Sequence, residues 1–189
     1  MKENFKAALD FVMAHECVFA TGHEGDFSRV MTEDVSGDHG GLTKFGIDQR
    51  SHPDINIRAL DYLGAARIYR DGEWTKCRCD ELPEGFDVAV FDTAVNCGVG
   101  TAALMLQRAL NDEGAEPPLQ EDGFIGPKTI AAAARNRGAL MHYLALRDSH
   151  YGDLVAENID LRKFMRGWLN RLGDLTAALT TNGDMEAIV

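Results

Sequence analysis

The 189-residue chain is 45% hydrophobic and 26% charged, a balance typical of one compact domain with a full core. Its net charge of −11 disfavours binding to nucleic acid phosphates and gives no attraction to an anionic cell envelope. The N-terminus lacks a signal-peptide core and no window approaches the roughly 20 apolar residues of a membrane span, so we expect cytoplasmic synthesis and no stable membrane association.

An amphipathic helix is predicted for residues 4–15, because four apolar residues recur at helical spacing: Phe5, Leu9, Val12 and Met13. Glu16 continues this apolar stripe. A carboxyl group at a core position costs on the order of several kcal/mol unless it keeps its proton. A general acid needs such a retained proton. Glu16 is therefore the first candidate for catalysis.

A small β-element is predicted after this helix. Gly40 and Gly41 favour a tight reversal with positive φ, and residues 42–47 alternate loosely enough for a short strand. Such a hairpin would bring Asp38 and Thr43 back toward the end of the helix. Two carboxyl groups facing each other across a cleft are what glycosidic bond cleavage requires.

Further helices are predicted by the same periodicity, with turn signals between them: residues 61–69, 84–97, 100–110, 127–135, 140–155 and 161–172. Small and polar residues dominate from Thr176 onward, so the tail is expected to fray. About seven helices and one small hairpin together predict a mainly α fold.

Several polar and aromatic residues allow two interpretations. Tyr69 and Trp74 are able to stack on sugar rings, although packing in the core is the simpler explanation. Trp168 lies within an apolar stripe and is assigned to the core. Asp92 and Asn96 are four residues apart on one helix face, so they either contact a ligand or brace neighbouring loops.

The cysteines and histidines give no convincing metal site. Free thiols are expected at all four cysteines, although a pairing of Cys17 with Cys97 stays open: Cys17, Cys77, Cys79 and Cys97. His15-Glu16 and His23-Glu24 begin the zinc-protease pattern, but neither has a histidine three residues after its glutamate. A site formed by His15, His23 and His39 is the weaker alternative. We therefore predict no metal and no cofactor.

The stretch from Phe5 to Glu16, followed by Asp38-His-Gly-Gly-Leu-Thr43-Lys-Phe-Gly-Ile47, resembles the opening of glycoside hydrolase family 108, the lysozyme-like N-acetylmuramidases. Residues 17–37 depart from the family pattern as an insertion, predicted to be a longer loop or hairpin over the cleft. Within it His23-Glu24-Gly25-Asp26-Phe27 imitates the family motif, which makes Glu24 a rival acid. We prefer Glu16 because the helix before it fits the family.

Three later segments resemble the same family, and the likeness extends over about residues 5–173. Phe91–Gly98 is similar to a motif that lines the family's cleft. Leu106–Leu110 with Asp122–Thr129 looks like its peptidoglycan-binding motif, and Phe164–Arg171 resembles its closing motif.

The resemblance implies an α+β, lysozyme-like fold, a helical bundle with one small β-hairpin beside the catalytic cleft. It divides the chain into a catalytic region, a helical peptidoglycan-binding-like region packed in the same globule, and a tail: residues 1–98, 99–175 and 176–189.

The resemblance further implies a monomeric N-acetylmuramidase that cleaves the β-1,4 bond between N-acetylmuramic acid and N-acetylglucosamine in peptidoglycan. Glu16 would protonate the leaving oxygen, Asp38 would stabilise the sugar cation or act as base, and Thr43 would hold the attacking water. Five residues would contact the glycan strand: Phe45, Gly46, Ile47, Tyr69 and Asn96.

Two alternatives stay open, a lytic transglycosylase, which uses one acid and no water, and a non-catalytic peptidoglycan-binding protein. Without a signal, a bacteriolytic enzyme of this kind would reach the cell wall through a separate holin, as a phage endolysin does, or through a secretion system.

Overall fold

The computed structural model describes residues 4–34 and 41–181, and these residues are mainly helical, as predicted. Seven α-helices are present in the described part: α1 (Asn4–Glu16), α2 (Tyr62–Tyr69), α3 (Phe86–Cys97), α4 (Val99–Asp112), α5 (Pro127–Arg135), α6 (Ala139–Glu157) and α7 (Arg162–Thr181). Three short strands accompany them: β1 (Glu33–Asp34), β2 (Leu42–Lys44) and β3 (Ile47–Asp48). None of the described helices is both long and apolar enough to cross a bilayer.

The described residues form two compact units. The N-terminal unit is Lys6–Gly72, and the C-terminal unit begins at Glu73 and also includes Asn4 and Phe5. Glu16 and the small sheet therefore belong to the N-terminal unit, and Asn96 belongs to the C-terminal unit.

The first helix has the predicted position and extends to Glu16. Its apolar stripe is buried: Ala8, Leu9, Val12 and Met13. Asp61 caps the start of α2 by accepting a hydrogen bond from the Gly64 amide. The Tyr62 hydroxyl donates to an Asp10 carboxylate oxygen at 2.6 Å and so joins α2 to α1.

The sheet is antiparallel with the order β1-β2-β3. The prediction of one strand over residues 42–47 is wrong, because the chain reverses at Phe45 and Gly46, whose φ values are 57° and 73°. Two consecutive residues with positive φ match the type I′ turn that suits a two-residue hairpin. A bulky residue rarely adopts this conformation. At Phe45 it is supported by burial of the side chain, which is 2% exposed.

The described part of the insertion, residues 17–34, folds as an irregular hairpin. Phe19 and Val30 form an isolated antiparallel bridge, and the Met31 amide donates to the Val18 carbonyl at 2.8 Å. The Phe27 ring contacts Phe19 at a centroid distance of 5.7 Å and Tyr62 of α2 at 5.2 Å. Aromatic packing therefore attaches the insertion to α2.

In the C-terminal unit, α3 carries a buried acid at its centre. Asp92 is fully buried and accepts hydrogen bonds from Arg147 of α6 at 2.6 Å and from Arg171 of α7 at 2.9 Å. Trp74 is also fully buried and contacts Phe91 at a centroid distance of 5.3 Å, which supports the core interpretation of this residue. Asp92 therefore braces three helices.

The last helix is longer than predicted. The prediction that the chain frays from Thr176 onward is wrong for residues 176–181, because α7 continues to Thr181. Leu175 and Leu179 are 0% and 4% exposed, so apolar packing holds this final turn in place.

The segment between α4 and α5 is held by one side chain. Gln107 is 2% exposed, and its amide donates to Asp122 and to the Phe124 carbonyl while accepting from the Gly123 amide. Pro127 then begins α5, as predicted. This fixed loop presents the Phe124 side chain, which is 77% exposed.

Candidate active site

Glu16 lies at the end of α1 against the turn between β2 and β3. A Cβ atom built on Gly46 would lie 3.0 Å from Cβ of Glu16 and 3.2 Å from its Oε2. The Glu16 side chain is half-buried. The acid therefore contacts the hairpin backbone at a place where only glycine fits.

Tyr69 of α2 completes this contact from the other side. Its hydroxyl donates to the Phe45 carbonyl at 2.9 Å, and it would lie 2.8 Å from a Cβ on Gly46. Three elements thus meet at one point, namely the end of α1, the hairpin turn and α2. The structure brings together four of the residues that the sequence singled out: Glu16, Phe45, Gly46 and Tyr69. Ile47, which was also predicted to contact the glycan, is buried in β3 at 3% exposure.

Thr43 lies at the centre of the sheet, directly opposite Glu33 on one side and Asp48 on the other. Directly paired residues of an antiparallel sheet present their side chains on the same face. Partial burial acts to raise the pKa of Asp48, but hydrogen bonds from Ser51 and the Arg50 backbone outweigh it and hold that pKa below its ordinary value. Asp48 is therefore an ionised carboxylate beside Thr43.

Sequence reasoning did not single out Glu33 or Asp48. Their relation to Thr43 follows from strand register, which no short motif encodes. Asp38, the predicted second carboxyl group, lies outside the described residues.

The rival acid Glu24 is poorly suited to donate a proton. It is exposed, and its Oε1 accepts a hydrogen bond from the Gly22 amide at 3.1 Å. Hydrogen bonds from its own amide and from that of Gly22 lower the pKa of its carboxyl group. Glu24 is therefore ionised at neutral pH, whereas a general acid must hold its proton.

The neighbouring thiol is not a ready nucleophile. Burial and the nearby Glu16 raise the pKa of Cys17 to about 12. A thiolate is the reactive form of cysteine, so this thiol is inert at neutral pH. The four cysteines are free, as expected. No group of three metal-ligating side chains occurs among the residues that the structure describes.

Asn96 lies in the last turn of α3, in the C-terminal unit, and is half-buried. Its Oδ1 accepts a hydrogen bond from the Tyr151 hydroxyl at 2.7 Å. Tyr151 in turn accepts from Nε of Arg147 at 2.7 Å, and Arg147 pairs with Asp92. Of the two polar residues on this helix face, Asp92 braces helices, and Asn96 is oriented by the same network.

A mainly helical chain whose first helix ends in an acid held against a small antiparallel sheet has the arrangement of the lysozyme-like glycoside hydrolases. Residues 18–98 match the family model described as Glycosyl hydrolase 108, and residues 101–173 match the one described as Predicted Peptidoglycan domain. Residues 18–98 thus form a glycosyl hydrolase 108 region, and with the peptidoglycan domain that follows it the chain is a peptidoglycan hydrolase. The first match begins two residues after Glu16, so it does not include the candidate acid.

Among solved structures, the chain is similar to SagA of Brucella abortus, with 25% sequence identity and a TM-score of 0.71 over 96% of each chain. No curated protein matches the sequence significantly. The structural likeness supports the fold over nearly the whole length.

We expect Gly46→Ala to reduce both stability and activity. At a φ of +73° an added Cβ is strained, and here it would also press on the Tyr69 hydroxyl and on Glu16. The left-handed backbone alone costs about 1 kcal/mol, and displacing a reacting group by about 1 Å costs roughly 100-fold in rate. Thermal unfolding and the rate of peptidoglycan hydrolysis measure the two effects.

Gly22→Ala is the matched control for this substitution. Gly22 has a φ of +79°, but nothing lies within 4 Å of its added Cβ. Gly22→Ala should therefore lose stability because of its strained backbone but keep full activity. Equal activities of the two variants would mean that contact between the turn and Glu16 has no part in catalysis.

Proposed function

We propose that the protein is an N-acetylmuramidase that hydrolyses the β-1,4 bond between N-acetylmuramic acid and N-acetylglucosamine, with Glu16 as the general acid. The observation that carries the proposal is the position of Glu16, half-buried at the end of α1 and next to the turn at Gly46. An acid at the end of a helix and beside a small sheet is placed to donate a proton to the leaving oxygen of a sugar bound in a cleft.

The second role in this mechanism belongs to a carboxylate that stabilises the developing sugar cation or activates water. We assign it to Asp38, with Thr43 as the residue that holds the attacking water. A water between the acid and the second carboxylate corresponds to inversion, which needs a separation of about 6.5 to 9.5 Å between the two carboxyl groups. Ionised Asp48 opposite Thr43 supplies further negative charge to this face of the sheet.

Substrate contacts are assigned to the residues around the acid and to one residue of the C-terminal unit. Phe45, Gly46 and Tyr69 meet beside Glu16. The side chains of Phe45, Ile47 and Tyr69 are 2%, 3% and 5% exposed, so we assign them to support of the acid and assign the glycan contacts to Gly46 and the Asn96 amide. The peptidoglycan domain match at residues 101–173 supports a wall polymer as the ligand of the C-terminal unit. We further propose that the protein acts as a monomer on the cell wall and is delivered there by a separate holin or secretion system.

Mass analysis of the fragments released from purified peptidoglycan tests this proposal. A muramidase leaves a reducing N-acetylmuramic acid end, which borohydride converts to the alditol. A lytic transglycosylase leaves an anhydro end that is lighter by one water and resists reduction. A reducing N-acetylglucosamine end, or no released fragment, would reject the muramidase assignment, and the second result would favour a non-catalytic binding protein.

A further inference from the structure

An aromatic stack in the C-terminal unit ends in an exposed ring. Tyr151 of α6 is 1% exposed, and its ring stacks on Trp168 of α7 with centroids 5.1 Å apart and planes 20° from parallel. Trp168 is half-buried and contacts Phe164 at a centroid distance of 5.9 Å. Phe164 is 47% exposed. Exposure thus increases along the stack, and the outermost ring is supported from behind.

The same tyrosine sets the orientation of an amide. Its hydroxyl accepts a hydrogen bond from Arg147, so its own proton is directed to Oδ1 of Asn96. In residues 4–34 and 41–181 no acceptor takes a hydrogen bond from Nδ2 of Asn96. The two N–H donors of Asn96 are therefore available for a further hydrogen bond, while its carbonyl oxygen is already occupied.

Cationic residues outnumber acidic ones in the chain next to the exposed ring, where Asp160 is the nearest acid in the sequence. Arg162, Lys163 and Arg166 are exposed in the first turns of α7, and Nζ of Lys163 lies 4.9 Å from the Phe164 ring centroid. The chain as a whole carries a net charge of −11. A local cationic surface on an acidic protein favours a ligand that bears carboxylates.

Phe124 is the other strongly exposed aromatic residue among those described, and its surroundings differ. It lines two open cavities of about 470 and 440 Å³, whose charged residues are of both signs: Lys76, Lys128 and Asp122. Hydrogen bonds from Gln107 and from the Phe124 amide lower the pKa of Asp122, so this carboxylate is ionised. An anionic polymer is therefore better matched by the Phe164 surface.

We propose that Phe164, Trp168 and Asn96, arranged around Tyr151, bind a strand of N-acetylated sugars whose substituents carry carboxylates. The apolar face of a sugar ring packs on Phe164, an acetamido oxygen or hydroxyl accepts from Asn96, and carboxylates lie near the cations of α7. Because the rings are already fixed by stacking, little conformational freedom is lost on binding. The proposed function supplies the identity of this polymer, peptidoglycan.

Sedimentation with purified insoluble peptidoglycan tests the surface, using the full-length protein with Glu16→Gln so that the polymer is not consumed. Phe164→Ala and Phe164→Leu should weaken binding roughly threefold to tenfold, the range for one aromatic contact. Phe164→Tyr keeps the ring and should bind like the parent. Thermal unfolding establishes that each variant is folded.

Tyr151→Phe tests the orientation of Asn96, because it removes the hydroxyl and keeps the stacked ring. It should weaken binding in the parent and have no further effect in the presence of Asn96→Ala. A hydroxyl that served only to stabilise the fold would reduce the unfolding temperature equally in both backgrounds and leave the binding of each unchanged.

Parent-like binding by Phe164→Ala, or weakening by Phe124→Ala alone, would overturn the proposal. Phe164-dependent binding to anionic phospholipid vesicles without binding to peptidoglycan would identify a membrane surface instead. Fragment release by the protein with Glu16 intact is scored separately. If Phe164 variants weaken binding but no fragments are released, the binding surface is supported and the muramidase function is rejected. If fragments are released but Phe164 variants bind like the parent, only the binding surface is rejected.

Discussion

Glu16→Gln is expected to lower the rate of peptidoglycan hydrolysis by about 10²- to 10⁴-fold, the range attributed to a positioned general acid. Glutamine has nearly the same shape, so its position next to Gly46 is preserved, but its amide is too weak an acid to protonate a leaving oxygen. The rate of dye release from labelled cell walls measures the loss. Thermal unfolding of the variant should remain close to that of the parent.

Glu24→Gln is the control, since it makes the same chemical change in the rival motif. Glu24 is exposed and already ionised, so this variant should keep its activity. Loss of activity in Glu24→Gln, with full activity in Glu16→Gln, would identify Glu24 in the insertion as the general acid. Full activity in both variants would show that neither Glu16 nor Glu24 is the general acid.

Arg147→Leu is expected to reduce the free energy of unfolding by about 3–5 kcal/mol, the cost of removing one partner from a buried ion pair. Arg147 and Asp92 are both fully buried, and the pair is 2.6 Å apart. The substitution also removes the donor to the Tyr151 hydroxyl. In a chain of this size the change corresponds to a fall of roughly 10 °C in the unfolding temperature.

Arg108→Leu provides the matched comparison for that experiment. Arg108 pairs with Glu121 at 3.3 Å, but its side chain is 59% exposed, and exposed ion pairs contribute about 0–1 kcal/mol. Denaturant unfolding of both variants separates buried from exposed pairing. A loss at Arg147 no larger than that at Arg108 would contradict a structural role for the network.

Local signals predicted much of the fold. The stripe of α1 ends at Glu16 as expected, and the Gly126-Pro127 step begins α5, because helix periodicity and the fixed φ of proline act over a few residues. These signals also placed the candidate acid at a helix end. They depend on neighbours in the chain, which the sequence displays directly.

Interactions between distant residues were not predictable in this way. Asp92 pairs with Arg147 and Arg171, which are 55 and 79 positions away in the sequence. No local sequence pattern indicates either partner. The turn at Phe45 was missed because a phenylalanine at positive φ is unfavourable by itself. Its conformation depends on burial and on the hydroxyl of Tyr69, both supplied only by the completed fold.

The length of α7 bears on how shortened versions of the protein should be made. The peptidoglycan domain match ends at residue 173, yet α7 continues to Thr181 and buries Leu175 and Leu179 beyond that point. Leu179 reaches the neighbourhood of Gly85, at the start of α3. An expression clone trimmed to the domain match would therefore discard two core side chains, so a recombinant fragment of this region should retain the helix through residue 181.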